Sequence, residues 1–227
     1  MVRVTTFQRA RSDEQRAQRR RDILSTAAAM LAEMPVADLS LNELSRRVGL
    51  AKSNVLRYFE TREAVLLELY DGTWTAWLDR LDQILPPGSA EGDPRLRYER
   101  VAAALTASLV ADPLLCELVS VSASVLERNV SPDVARRYKL ASMANTDRMA
   151  IQLHSSLPEL SPDGAWRAAA GTLLSVSGVW PLTNPTEAML CVYEDPEMAR
   201  LRLDFATALE EVLSVILAGC LSRWPST

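Results

Sequence analysis

Lys52, Ser53, Asn54 and Arg57 fall within a stretch of six residues. Together they offer a compact cation, a hydroxyl, an amide that both donates and accepts, and a forked guanidinium. That set can read the base edges of duplex DNA in its major groove, where Arg suits guanine and Asn suits adenine. Tyr58 and Arg62 follow closely. Their groups suit the sugar-phosphate backbone, where contacts set register and carry no base information.

Such residues work only if a rigid element presents them, and residues 40–59 supply one. Ser40 and Glu43 have the S-x-x-E spacing of a capping box, and Leu39 and Leu44 occupy the flanking staple positions. A first short helix is therefore predicted, then a turn at Gly49, then a second helix carrying Lys52 to Tyr58. Leu44, Val48, Leu50, Val55 and Phe59 are spaced to meet in a small core between the two. The polar set is left on the outer face, which is helix-turn-helix logic with the second helix offered to the major groove.

Upstream, Ile23, Leu24, Ala27, Ala28 and Leu31 form a helical apolar stripe; downstream, Glu63, Ala64, Val65 and Leu66 begin another helix at once. Residues 17–66 together resemble the DNA-binding domain of the TetR (tetracycline repressor) family of transcriptional regulators. Arg62 matches a basic residue usual in that family. Ala51 stands where a capping Ser or Thr is usual, and Leu56 where a tyrosine usually reaches a phosphate. Loss of the cap costs ~0.5–2 kcal/mol, so the second helix is expected to be short and to firm up on DNA.

Charge is divided unevenly. Residues 1–62 hold 12 Lys+Arg against 7 Asp+Glu, whereas 63–227 hold 13 against 22. A basic head (1–62) on an acidic body (63–227) implies a polyanion partner for the head alone. Residues 1–20 are dense in arginine, and the segment before the first helix forms an arm that can neutralise phosphates or enter the minor groove, or a plain tail. Ser12 and Gln15 form a second capping-box pair, predicting that the first helix runs from about Asp13 to Glu33. No uninterrupted apolar run approaches ~18 residues and the N-terminus lacks an apolar signal core, so a cytoplasmic protein without a membrane partner is expected. Cys116, Cys191 and Cys220 lack metal-site spacing and read as reduced core thiols.

The body is punctuated by Asp93-Pro94, Asp112-Pro113, Ser131-Pro132, Ser161-Pro162, Asn184-Pro185 and Asp195-Pro196. Each pairs an N-capping side chain with a proline at the first helical position, where no backbone donor is lost. Helices are predicted over 94–110, 113–128, 132–156, 162–180 and 196–222, with a short turn of helix near 185–192. Thr61 caps a long helix ending before the Pro86–Pro94 break. No stretch alternates with period two, so the fold class is all-α: a three-helix head and a larger helical body. Leu174 and Gly178 on one helix, and Leu209, Leu213, Ile216 and Leu217 on the last, are candidates for a homodimer interface; an ordinary internal core explains the same stripe. In TetR-like proteins the corresponding last two long helices pair with their twins in a four-helix bundle.

A reactive constellation is missing. His154 is the sole histidine, which excludes HExxH and His-based metal clusters, and no Walker A loop, G-x-S-x-G or G-x-G-x-x-G is present. No enzyme activity, cofactor or metal is expected. Trp74, Trp77, Met143, Met149, His154, Trp166 and Trp180 are candidates for the wall of an apolar effector cavity, or simply core. The reading that unites these features is a homodimeric repressor released from a double-stranded DNA operator by an apolar or amphipathic effector. Its rivals are an all-α interaction adaptor and a TetR-like activator or global regulator without ligand control.

Overall fold

The computed structural model describes residues 3–88 and 93–226. The head is built from α1 (Arg3–Leu31), α2 (Leu41–Val48) and α3 (Lys52–Val55), with a 3-10 turn at Val36–Asp38. A long α4 (Arg62–Ile84) runs from the head into the body. There it meets α5 (Pro94–Val110), α6 (Pro113–Val121), α7 (Pro132–Ser156), α8 (Pro162–Thr183), α9 (Glu187–Val192), α10 (Pro196–Ala199) and α11 (Phe205–Arg223). No strand occurs among the described residues. A single bridge between Leu160 and Pro225, beside a bond from the Ser161 N–H to the Trp224 carbonyl, ties the α7–α8 loop to the chain end.

The predicted caps account for most helix starts. Thr61, Asp93, Asp112, Ser131, Ser161 and Asp195 each accept a hydrogen bond from a first-turn backbone N–H, with proline at the first helical positions after all of them but Thr61. Four boundaries differ from expectation. The first helix starts at Arg3 rather than Asp13, because residues 3–12 contain no Pro or Gly to stop it. Helix α8 continues through Pro181 to Thr183, so Asn184 ends that helix instead of starting the next. Beyond α6, residues Ser122–Leu126 widen into a π-turn, closed by Glu127 N–H on the Ser122 carbonyl at 3.1 Å. The expected helix 196–222 is two, because Asp204 caps a fresh start after α10.

One continuous apolar core links head and body. Ile23, Ala27, Met30, Leu39, Leu44, Val55 and Phe59 fill the head, and Val65, Leu66 and Leu69 of α4 close it from below. Trp74, Trp77, Leu78 and Leu81 carry the same helix into the body against α6 and α7. Helix α7 packs on α8, and α11 lies against both α5 and α8. Gly171 allows the last contact to be close, since a methyl group there would meet the Ile216 side chain at 3.2 Å.

Candidate nucleic-acid interface

The head is assembled by short-range devices. Ser40 Oγ accepts from the Glu43 N–H at 3.2 Å, and Leu39 and Leu44 are both fully buried. The reciprocal half of the capping box is replaced: the Glu43 carboxylate binds Arg46 and Arg47, whose guanidiniums hold its carboxyl down at about 2. Helix α2 ends at Gly49 in the left-handed region (φ 73°), where a residue without Cβ is at no steric disadvantage. Two residues later Ala51 starts α3 with no side-chain cap, and the helix lasts four residues before loosening into turns.

Burial divides this segment cleanly. Val55 and Phe59 are buried, with Leu44 beneath them, while Val48 and Leu50 are partly buried at the margin. Lys52, Ser53, Asn54 and Arg57 are exposed, as the spacing requires, and so is Leu56. Among the described residues neither Lys52 nor Arg57 has an ion-pair partner. Beside them a groove of about 800 Å³ separates α1 from α3, with Arg16, Arg19, Asn54, Arg57 and Tyr58 along it. Free cations on a convex element, beside a basic groove, suit a polyanion.

Two basic residues behave differently from expectation. The Arg62 Nη1 donates to the carbonyls of Ala37 and Leu39 at 3.2 Å, and Nε pairs with Glu63. Its guanidinium is turned inward to hold the 3-10 turn, not out toward a phosphate. Arg20, at the end of the arginine-dense stretch, folds back onto the head: it pairs with Glu68 of α4, donates to the Tyr58 carbonyl at 2.7 Å and covers the Phe59 ring at 4.2 Å. No local pattern marks the Arg20–Glu68 pair, whose members are 48 residues apart.

The seven residues proposed for an effector wall do not surround one cavity. Trp74, Trp77 and Met149 are buried in the core, with Trp77 Nε1 donating to Ser108 Oγ at 3.1 Å. Met143 and Trp166 face outward, Trp166 bonded to Asp147. His154 Nδ1–H donates to the Leu160 carbonyl at 2.7 Å, a structural role. Trp180 binds Glu117 and meets Phe205 edge-on. The interface candidates separate too: Leu209, Leu213 and Leu217 are buried, Ile216 packs toward Gly171, and Leu174 and Gly178 face outward. Of the thiols, Cys116 and Cys220 are buried, burial pushing Cys116 up to about 12, but Cys191 is exposed.

A second cleft, about 540 Å³, opens where head meets body. Leu56, Arg57 and Tyr58 form its head side, Leu67, Glu68 and Asp71 of α4 its floor, and Val134, Arg137, Tyr138 and Ala141 of α7 its far side.

A helix-turn-helix head joined by one long helix to an all-α body is an arrangement found in known proteins. Residues 23–69 match the family model for bacterial regulatory proteins of the tetR family, and residues 71–223 match the tetracyclin repressor-like C-terminal domain. The chain belongs to the TetR family. TetR-family proteins are DNA-binding transcriptional regulators, and the residues matched to the DNA-binding family model include α2 and α3.

Among curated relatives, the transcriptional regulator EthR of Mycobacterium tuberculosis is 41% identical over 49 residues, which cover 22% of this chain and 23% of EthR. The likeness thus spans about a quarter of that protein. Among solved structures, a putative TetR-family regulator from Mesorhizobium loti superposes with a TM-score of 0.55 at 16% identity, covering 93% of this chain and 98% of the other. The fatty acid degradation regulator FadR of Bacillus halodurans gives 0.51 at 15% identity, covering 87% and 94%. FadR of Bacillus subtilis, solved with stearoyl-CoA, gives 0.50 at 14%, covering 87% and 97%. At these identities the likeness is one of fold.

Proposed function

We propose that this TetR-family protein is a homodimeric repressor that leaves its operator when a small molecule binds. The DNA-binding domain is residues 1–62 and the regulatory domain 63–227, with the protein acting in the cytoplasm. One observation carries the dimer: α8 and α11 retain an apolar face after the monomer's own core is filled. Leu174 and Val215 are 74% and 73% exposed, with Val212 and Gly178 beside them. Helix α11 is apolar enough to cross a membrane (19 residues, mean hydropathy 1.6), yet only 22% of its apolar window is buried. One side packs on α5 and α8; the other is an exposed apolar surface of the kind that marks association. A second copy using the same face gives an isologous, self-complementary contact. Two α3 helices would then reach successive major grooves about 34–36 Å apart, giving enough base contacts for useful specificity.

Helix α4 supports ligand control, because its first residues close the head core and its last are packed in the body. A displacement of the body end reaches α3 through a rigid element. FadR of Bacillus subtilis, solved in complex with stearoyl-CoA, has a similar fold, which supports a small-molecule ligand for this chain. The test is selection of DNA fragments by the full chain, followed by sedimentation of protein alone and on the selected site. The expected result is a dimer on a palindromic site; a monomer on an asymmetric site would overturn the reading.

A further inference from the structure

The cleft between head and body contains an acid that its neighbours leave uncompensated. Arg20 is neutralised by Glu68, and the Glu60 carboxylate is taken up by the Ser131 N–H at 2.6 Å. Asp71 has no cationic partner among the described residues; its Oδ1 accepts only from Asn145 Nδ2, at 2.9 Å. Asn145 is itself buried and fixed by Thr75 at 3.3 Å, so the carboxylate is held in one orientation. Burial pushes the Asp71 carboxyl above its ordinary range, the Asn145 bond opposes this, and the Glu68 charge adds to it. An anion so placed gains more from a cation than one in water.

The rest of the cleft is mixed: Arg57 and Arg137 line it, and beside them lies an apolar and aromatic part. Leu67, Val134 and Ala141 offer aliphatic surface, and Tyr138 an aromatic face. The Tyr138 ring lies 6.0 Å from Tyr70, which in turn stacks on Trp74 at 5.6 Å. Aromatic faces attract cations as well as apolar groups. At the other side of the cleft stand Leu56 and Arg57 of the DNA-reading segment.

We propose that this cleft is the effector site and that it takes a lipophilic cation, the charged head on Asp71 and the apolar part against Leu67, Val134, Tyr138 and Ala141. The proposal rests on the ligand-gated reading above and moves the effector from the body's interior to the junction. A ligand there touches the recognition segment directly, so release of DNA needs no relay through the packed core.

The test compares 4-phenylbutylamine, a cation at neutral pH, with uncharged 4-phenylbutanol, by calorimetric titration of the full chain and by Trp fluorescence. The amine is expected to bind about tenfold tighter than the alcohol. Asp71→Asn, which keeps the acceptor for Asn145, should bind both alike. Ala141→Trp, which fills the cleft, should weaken both without removing helical circular dichroism. The amine, but not the alcohol at equal concentration, should lower affinity for the selected DNA site in the wild type and not in Asp71→Asn. Equal binding of the two compounds by wild type, binding of neither, a preference that survives in Asp71→Asn, or amine binding that leaves DNA affinity unchanged would each overturn the proposal. DNA binding without added compound tests the regulator reading separately, because its failure would leave the amine-to-alcohol comparison intact.

Discussion

The Glu60 carboxylate accepts a 2.6 Å hydrogen bond from the backbone N–H of Ser131, the residue that also caps α7. Glu60 directly follows the recognition segment, so this bond joins the end of the DNA-reading element to the body independently of α4. The Ser131 backbone and hydroxyl hold the Glu60 carboxyl below its ordinary range. Glu60→Ala is expected to loosen the recognition segment, giving faster amide exchange over residues 52–60 with α5 to α8 unchanged. Exchange at the wild-type rate in that segment would show that α4 alone positions the head.

A pH dependence should be visible at α2. Arg46 and Arg47 hold the exposed Glu43 carboxyl down at about 2, against 4.5 for an unperturbed one. A carboxyl whose folded value is depressed stabilises the fold above the unfolded value and loses that contribution as pH falls through the folded one. Glu43→Gln is therefore expected to melt below wild type at pH 7, with the gap closing between pH 4.5 and 2. Thermal melts across that range check it, and a pH-independent gap would mean that the charge plays no part.

The dimer should fail when its free face is charged. Leu174→Glu with Val215→Glu places four carboxylates in the proposed contact while both sites remain solvated in the monomer. The expected product is a folded monomer with weak affinity for a palindromic site. Leu213→Glu would instead bury a charge in the monomer's core and unfold it. Sedimentation with circular dichroism separates the two, and a double variant that stays dimeric would place the contact elsewhere.

Base reading and head assembly should separate on mutation. Asn54→Ala and Arg57→Ala are expected to cost about 1–3 kcal/mol each on the specific site and less on random DNA. Arg62→Ala removes the bonds to Ala37 and Leu39. It should lower head stability by about 1–3 kcal/mol and weaken both kinds of DNA alike. Titrations on specific and random DNA, beside urea unfolding, distinguish these. Specific loss for Arg62→Ala with unchanged stability would return it to the DNA-contacting set.

Features that depend on residues a few positions apart were legible in the sequence. The capping side chains before α4 to α8, the turn at Gly49 and the exposure of Lys52, Ser53, Asn54 and Arg57 all follow from local backbone chemistry and helical spacing. The split between α10 and α11 escaped because Asp195-Pro196 is a strong local start, while Asp204 caps without a proline to advertise it. What the tertiary structure alone decided is where long side chains end. Arg62 could as well reach outward to phosphate as inward to the Ala37 and Leu39 carbonyls, since a guanidinium on a flexible stem suits either. Arg20 finds Glu68, and Glu60 finds Ser131, across 48 and 71 residues, separations at which periodicity carries no information. The same holds for the apolar stripe of α11. Its composition is that of a helix with partners on more than one side, but only packing against α5 and α8 determines that Leu213 is core and Val215 is free.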